Sequence, residues 1–361
     1  MMSTQQMIPI WSAGILTLLW FTLLFRINRN TSATRRFPGF LLAMLCWPVV
    51  VMGELWQLGG GASVLLSALS VLGIPLVLWG AYRNLMAMIW RRPALLRWPF
   101  WAGLITLTGL LVAQFFLLQD DWQQWAGFAP TGDPIRNWSV YAGGLLTSFL
   151  LLYIGIVLIE QVQQYHYELP MQVVDTEMYQ LKGIAGSAGF MVAMAFFMVV
   201  LVAGVAFGLL PFYQWLAWFH LGIALTLLIL LSQFSRAQKV SPSPFDHHAL
   251  SNAPKMSEAR AQAILKRAEA AVISQKAYKE LGLKLQTFAE RADLSASDIC
   301  LALLAIKKTH FRGFIYQFRM KYAKQVLLGS DAKLDSVTKR LKLGANGTAS
   351  QTFLRYLESR R

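Results

Sequence analysis

Residues 138–159 read WSVYAGGLLTSFLLLYIGIVLI, twenty-two positions without a charged side chain. A helix needs about 20 such residues to cross a ~30 Å hydrocarbon core. Similar apolar runs cover Ile8–Phe25, Phe37–Met52, Ala62–Tyr82, Pro99–Leu118, Ile184–Leu210 and Trp215–Phe234. The second run is the shortest, with Pro48 inside it and Glu54 just after it. Extension to Trp56 gives it spanning length, and proline is tolerated within membrane helices. The pattern predicts an all-α protein whose residues 1–234 form a seven-span transmembrane bundle.

Composition points the same way. The chain has 361 residues, 56% of them hydrophobic and 14% charged. Soluble globular proteins carry about a quarter of their residues as charged types. Through Phe234 there are ten Lys/Arg and eight Asp/Glu; from Ser235 onward there are twenty-three and ten. An almost neutral apolar part therefore precedes a basic polar part, and the two require different solvents.

Basic residues also set the expected orientation. Arg26, Arg29, Arg35 and Arg36 follow span one, and Arg83, Arg91, Arg92 and Arg97 follow span three. The alternate loops hold almost none: 53–61 has no Lys or Arg, and 119–137 has Arg136 against Asp120, Asp121 and Asp133. The positive-inside rule places the N-terminus outside and the C-terminal part in the cytoplasm. The loop between spans five and six fits less well, with Lys182 facing Glu160, Glu168, Asp175 and Glu177. No Lys or Arg precedes span one, so the positive region of a cleaved signal peptide is missing. Cys46 and Cys300 fall in different compartments, which leaves no disulfide framework. Neither a metal site nor a cofactor is expected, and nothing in the pattern points to an enzyme.

Ionisable residues inside spans usually mark function, because charge in hydrocarbon is costly. Glu54 and Glu160 lie at span ends, and His220 lies within the last span. That span has no lysine for a retinal Schiff base. Trp122 and Trp125 belong to an aromatic group at the outer face with Trp138, Phe212, Tyr213 and Trp215. Such a group reads either as an interfacial belt or as the lining of an outward-facing pocket. Glu54, Trp122, Trp125 and His220 are the ligand-sensing candidates, for a small-molecule or protein signal that the sequence does not name.

After Phe234 the composition changes. Residues 235–255 read as a linker, with Ser241-Pro242-Ser243-Pro244 barring continuous helix. His247 and His248 read as solvated loop residues. From 256 to 361 a helical domain is expected. Ala259, Ala263, Ile264, Ala268, Ala271 and Val272 recur at helical spacing, and Leu283, Leu285, Phe288 and Ala289 suit a short second helix. Asp293-Leu294 make a turn, and Ser295-Ala296-Ser297-Asp298 has the form of a capping box opening a third helix. Two short helices joined by a tight turn suit either a helix-turn-helix or an ordinary helical hairpin.

Tyr278, Leu283, Leu285, Phe288, Ala289, Leu294 and Ser295 occur in an order that resembles the DNA-binding domain of the AraC/XylS transcription-regulator family. Phe311-Arg312-Gly313-Phe314-Ile315 is similar to its F-x-x-F/Y-I stretch, and Arg319, Ala323 and Leu327 to its R-x-x-x-A-x-x-x-L helix. The helix over 257–275 resembles that of members with membrane-spanning N-terminal halves. The resemblance covers roughly 256–328. It departs in the second helix-turn-helix, where Gly344 arrives two residues late, Ala345 replaces the family's Phe, and Phe353 and Leu357 remain for a last helix.

The resemblance implies a membrane-embedded regulator in a bacterial inner membrane, with DNA and lipid as partners and a homodimer compatible with it. Ser297, Cys300, Leu301 and Leu304 would take the DNA-facing positions, yet offer little for reading base edges. Phosphate contacts would then dominate, from Lys307, Lys308, Arg312, Arg319, Lys321, Lys324, Lys339, Arg340 and Lys342. The same charge suits a surface held near anionic lipid. Two other readings stay open: a receptor whose tail binds a protein, and a transporter with a regulatory tail.

Overall fold

The computed structural model describes residues 97–117, 137–210, 215–234, 239–242, 256–329 and 334–341, with isolated positions between 72 and 90 and at 134–135. The first two expected spans, most of the linker, and the last expected helix with Phe353 and Leu357 lie outside the described residues. So do Glu54, Trp122, Trp125 and Lys342. Among the described residues the regular elements are helical, with one isolated antiparallel bridge between Val173 and Lys284.

The apolar half contributes α1 (Trp98–Leu117), α2 (Trp138–Gln172), α3 (Lys182–Ala206) and α4 (Trp215–Phe234). Only α2 and α3 among the described residues are long and apolar enough to cross a membrane; α1 gives a shorter apolar stretch, Trp98–Ala113. This is fewer than the seven spans expected from the sequence. The third expected span is described at scattered helical positions between 72 and 82, and α4 matches the seventh in its limits.

Packing in this half uses small residues. A Cβ at Gly155 would come within 2.7 Å of Val192 Cγ2, so glycine lets α2 and α3 approach closely. Thr147 and Ser148 donate to the carbonyls of Gly143 and Gly144 one turn back, which satisfies the hydroxyls without a partner helix. Outward-facing Phe149, Ile156, Phe196, Phe197 and Val200 are each about half exposed or more. Water would penalise such a surface, and hydrocarbon would not.

The chain divides into two compact units, and the division departs from the expected boundary at 234. One unit holds 1–163 and 181–238; the other holds 164–180 together with 239–361. The end of α2 and the loop after it thus pack with the basic tail. The physical reason is a set of polar links described below.

In the tail, α5 (Glu258–Ser274) ends with Lys276 in a left-handed conformation. α6 (Leu285–Arg291) and α7 (Ala296–Ala302) follow, seven residues each. A π-helical turn over Leu303–Lys307 extends α7. Then come α8 (Phe311–Gly329) and α9 (Leu334–Arg340). Between α6 and α7 the amide of Leu294 donates to the Ala289 carbonyl, and Asp293 is left-handed at φ 49°. This is a Schellman-type stop with aspartate where glycine is usual.

Ser295 is the N-cap of α7, but the anticipated capping box does not form. Its hydroxyl pairs with Ser297 at 2.7 Å, and Asp298 turns to Arg260 at 3.4 Å. Leu285, Phe288, Ile299, Leu303, Phe314 and Ile315, on three successive helical segments, are all fully buried in one cluster.

Candidate functional site

α8 carries the four-residue spacing of Arg319, Ala323 and Leu327, and its chemistry differs from the expectation. Arg319, Ala323 and Leu327 recur every four residues, which stacks them on one helical face. All three are buried on it. Arg319 is 0% exposed. It therefore does not present its guanidinium to phosphate, as the sequence reading expected.

What Arg319 does instead is donate all five of its N–H groups, the full capacity of a guanidinium. Nη1 reaches Asp175 Oδ1 at 2.7 Å and the Leu341 carbonyl at 3.3 Å. Nη2 reaches Asp175 Oδ2 at 3.0 Å and the Glu280 carbonyl at 2.7 Å, and Nε reaches the Tyr278 carbonyl at 3.0 Å. The pair with Asp175 is bidentate, which fixes direction as well as charge.

Asp175 also accepts from the Gly282 amide at 2.6 Å. Gly282 sits at φ +71°, where a side chain would be strained, and a Cβ there would lie 3.2 Å from the Tyr179 hydroxyl. That hydroxyl donates to the Gly282 carbonyl at 2.8 Å. Burial, and then the Asp175 charge, raise the Tyr179 pKa above its usual value. The Val174 amide donates to the Leu283 carbonyl at 3.1 Å, beside the Val173–Lys284 bridge. At the other end of the loop the Tyr165 hydroxyl donates to the Tyr179 carbonyl and accepts from the Ser241 amide, each at 3.1 Å.

The remaining tail candidates divide by exposure. Cys300 is 1% exposed, and burial pushes its thiol up to about 11. The expected DNA-facing role fails for Cys300 because α7 turns Ile299, Cys300, Ala302 and Leu303 inward together. Ser297 and Leu301 are half-buried, while Leu304 and Ile306 on the π-turn stand out at 39% and 37% exposure. Lys307 is ion-paired with Glu269 and lies 5.2 Å from the Phe314 ring centre, so its charge is already engaged. Lys308, left-handed at φ 47°, is exposed and Arg312 is half-buried. Lys321, Lys324, Lys339 and Arg340 are exposed. His220 falls within α4.

Sequence reasoning missed Asp175, Tyr179 and Gly282. The signal was present as an acidic loop on a side where basic residues were expected. In the sequence Asp175 reads as a loop charge, whereas in the structure it is the counter-ion of Arg319. Among the described residues no cluster of three or more metal-ligating side chains occurs.

Compared with known proteins, the chain matches no family model, no curated relative and no solved structure.

Proposed function

We propose that this chain is a membrane-embedded regulator. Its apolar half senses a ligand or a membrane state, and its basic C-terminal unit binds DNA at the cytoplasmic face. One observation carries the reading. Two seven-residue helices joined by a tight turn rest on a closed apolar core, and cations remain exposed along the helices that follow. Exposed Lys308, Lys321, Lys324, Lys339 and Arg340, with half-buried Arg312, supply phosphate-binding charge. The poverty of α7 in Arg, Lys, Asn and Gln argues for affinity without strong base readout.

The inside-facing tail agrees with the arginine asymmetry of the early loops. It also agrees with the packing of 164–180 in the tail's unit, since that loop must then share the tail's side of the bilayer. The test is a salt titration of the full chain in nanodiscs against fluorescent duplexes of varied sequence. Log affinity should fall linearly with log salt, by about 0.9 for each phosphate contact. Absence of duplex binding at low salt would end the DNA reading.

A second reading has one observation in its favour. Leu304 and Ile306 are exposed beside α7, an apolar step that a protein partner's helix could cover. In that case the duplex titration is flat, and Leu304→Asp abolishes partner capture while leaving the fold intact.

A further inference from the structure

Asp175 stands three residues past the end of α2 at Gln172 and seven before α3 begins at Lys182. Among the described residues those are the two helices long and apolar enough to cross a membrane. The connection leaves little slack, because three extended residues span at most about 10 Å. A rotation or axial shift at the end of α2 is therefore delivered to Asp175, while one at the start of α3 reaches it through the 3-10 turn Thr176–Tyr179, whose last carbonyl the Tyr165 hydroxyl holds.

The loop's attachment to the tail is mostly polar. Of residues 173–180, Val174 alone joins the tail's buried apolar cluster. The other links include the bidentate ion pair, the Gly282 amide to Asp175, the Tyr179 hydroxyl to Gly282, the Val174 amide to Leu283 beside the Val173 bridge, Lys284 over the Tyr179 ring, and Met178 beside Gly282. Apolar surfaces tolerate sliding, whereas a fork-to-carboxylate pair loses its bonds over a small displacement. Breaking it leaves an uncompensated guanidinium in a fully buried site, which is strongly destabilising. The same guanidinium ties down the carbonyls of Tyr278 and Glu280 ahead of α6 and of Leu341 after α9. Loss of Asp175 is thus felt at both edges of the helical tail.

We propose that residues 173–180 form a transmission strap: displacement of the α2 and α3 ends makes or breaks the Arg319–Asp175 pair, and so tightens or loosens the tail. This rests on the reading that α2 and α3 lie in a bilayer, and it is independent of what the tail binds.

The experiment uses the full chain reconstituted in short-chain and long-chain phosphatidylcholine, with flotation checking insertion and amide hydrogen exchange read at Val174 and Gly282, the donors of the two strap bonds. Bilayer thickness imposes tilt or shift on spanning helices. In the wild type, exchange at Gly282 should differ several-fold between the two bilayers. Asp175→Asn should speed it on the order of a hundredfold in both. A disulfide between Val173→Cys and Lys284→Cys, which are bridge partners, should hold the strap down and remove the thickness dependence. If Asp175→Asn speeds exchange but thickness changes nothing, the loop is a static brace and the proposal is overturned. Unchanged exchange in Asp175→Asn overturns it as well. The wild-type thickness series needs no variant, so it decides even if Asp175→Asn does not fold. Failure to float would sink the membrane reading and the strap with it, a result distinct from flat exchange in an inserted protein.

Discussion

Phe288→Ala tests whether the tail is held by the core its helical spacing implies. Phe288 is fully buried, and its ring centre lies 5.6 Å from that of Phe311 across the α6–α8 contact. Removing a buried phenyl ring costs about 3–5 kcal/mol, through lost transfer energy and the cavity left behind. In a unit of this size that corresponds to a fall in Tm on the order of 10–15 °C. Calorimetry of the whole chain would mix this transition with that of the apolar half. Cys300 offers a local reporter, since its thiol is buried and held protonated in the native state. Detergent-solubilised full chain would be heated, pulsed with an alkylating reagent, and scored on the peptide containing Cys300. The temperature of half-modification should drop by the amount above in the variant. An unchanged temperature would refute the assignment of α6 to the core, whatever the overall fold.

Lys308→Ala and Arg312→Ala should weaken all duplexes alike and each lower the salt slope by about one unit, measured by fluorescence anisotropy with the full chain; a change in sequence preference would count against phosphate binding. Reporter fusions after Arg36, Arg92 and Lys239 should read cytoplasm, and those after Gly60 and Gly132 outside; a cytoplasmic signal at Gly132 would overturn the orientation. The raised Cys300 pKa makes a pH prediction: the buried neutral thiol contributes stability that is complete below pH 9, its ordinary value, and is lost as pH rises through about 11. The full shift is worth about 3 kcal/mol, and about 2 kcal/mol of it is expressed by pH 11, so the stability difference between wild type and Cys300→Ala should narrow by about 2 kcal/mol from pH 8 to pH 11. A constant difference across that range, followed by hydrogen exchange in the tail, would show that the thiol is not buried as described.

Much of this molecule could be read from its sequence because the relevant forces act between near neighbours. Apolar run length marks α2 and α3, and apolar residues at helical spacing on three successive helices turn Leu285, Phe288, Ile299 and Phe314 to one core. Left-handed Asp293 ends α6 where the turn was expected. Exposure of individual side chains was less legible, because it depends on how helices pack. Cys300 and Arg319 sit on segments expected to be helical, and both point inward. The ion pair was not legible at all. Arg319 and Asp175 are 144 positions apart, and no periodicity links a lone aspartate in a loop to an arginine in a distant helix. Local pattern determined which segments are helices and which of their faces are apolar. Tertiary structure alone decided that the loop after α2 belongs to the tail, because a buried guanidinium takes its counter-charge from whichever carboxylate the fold brings within reach.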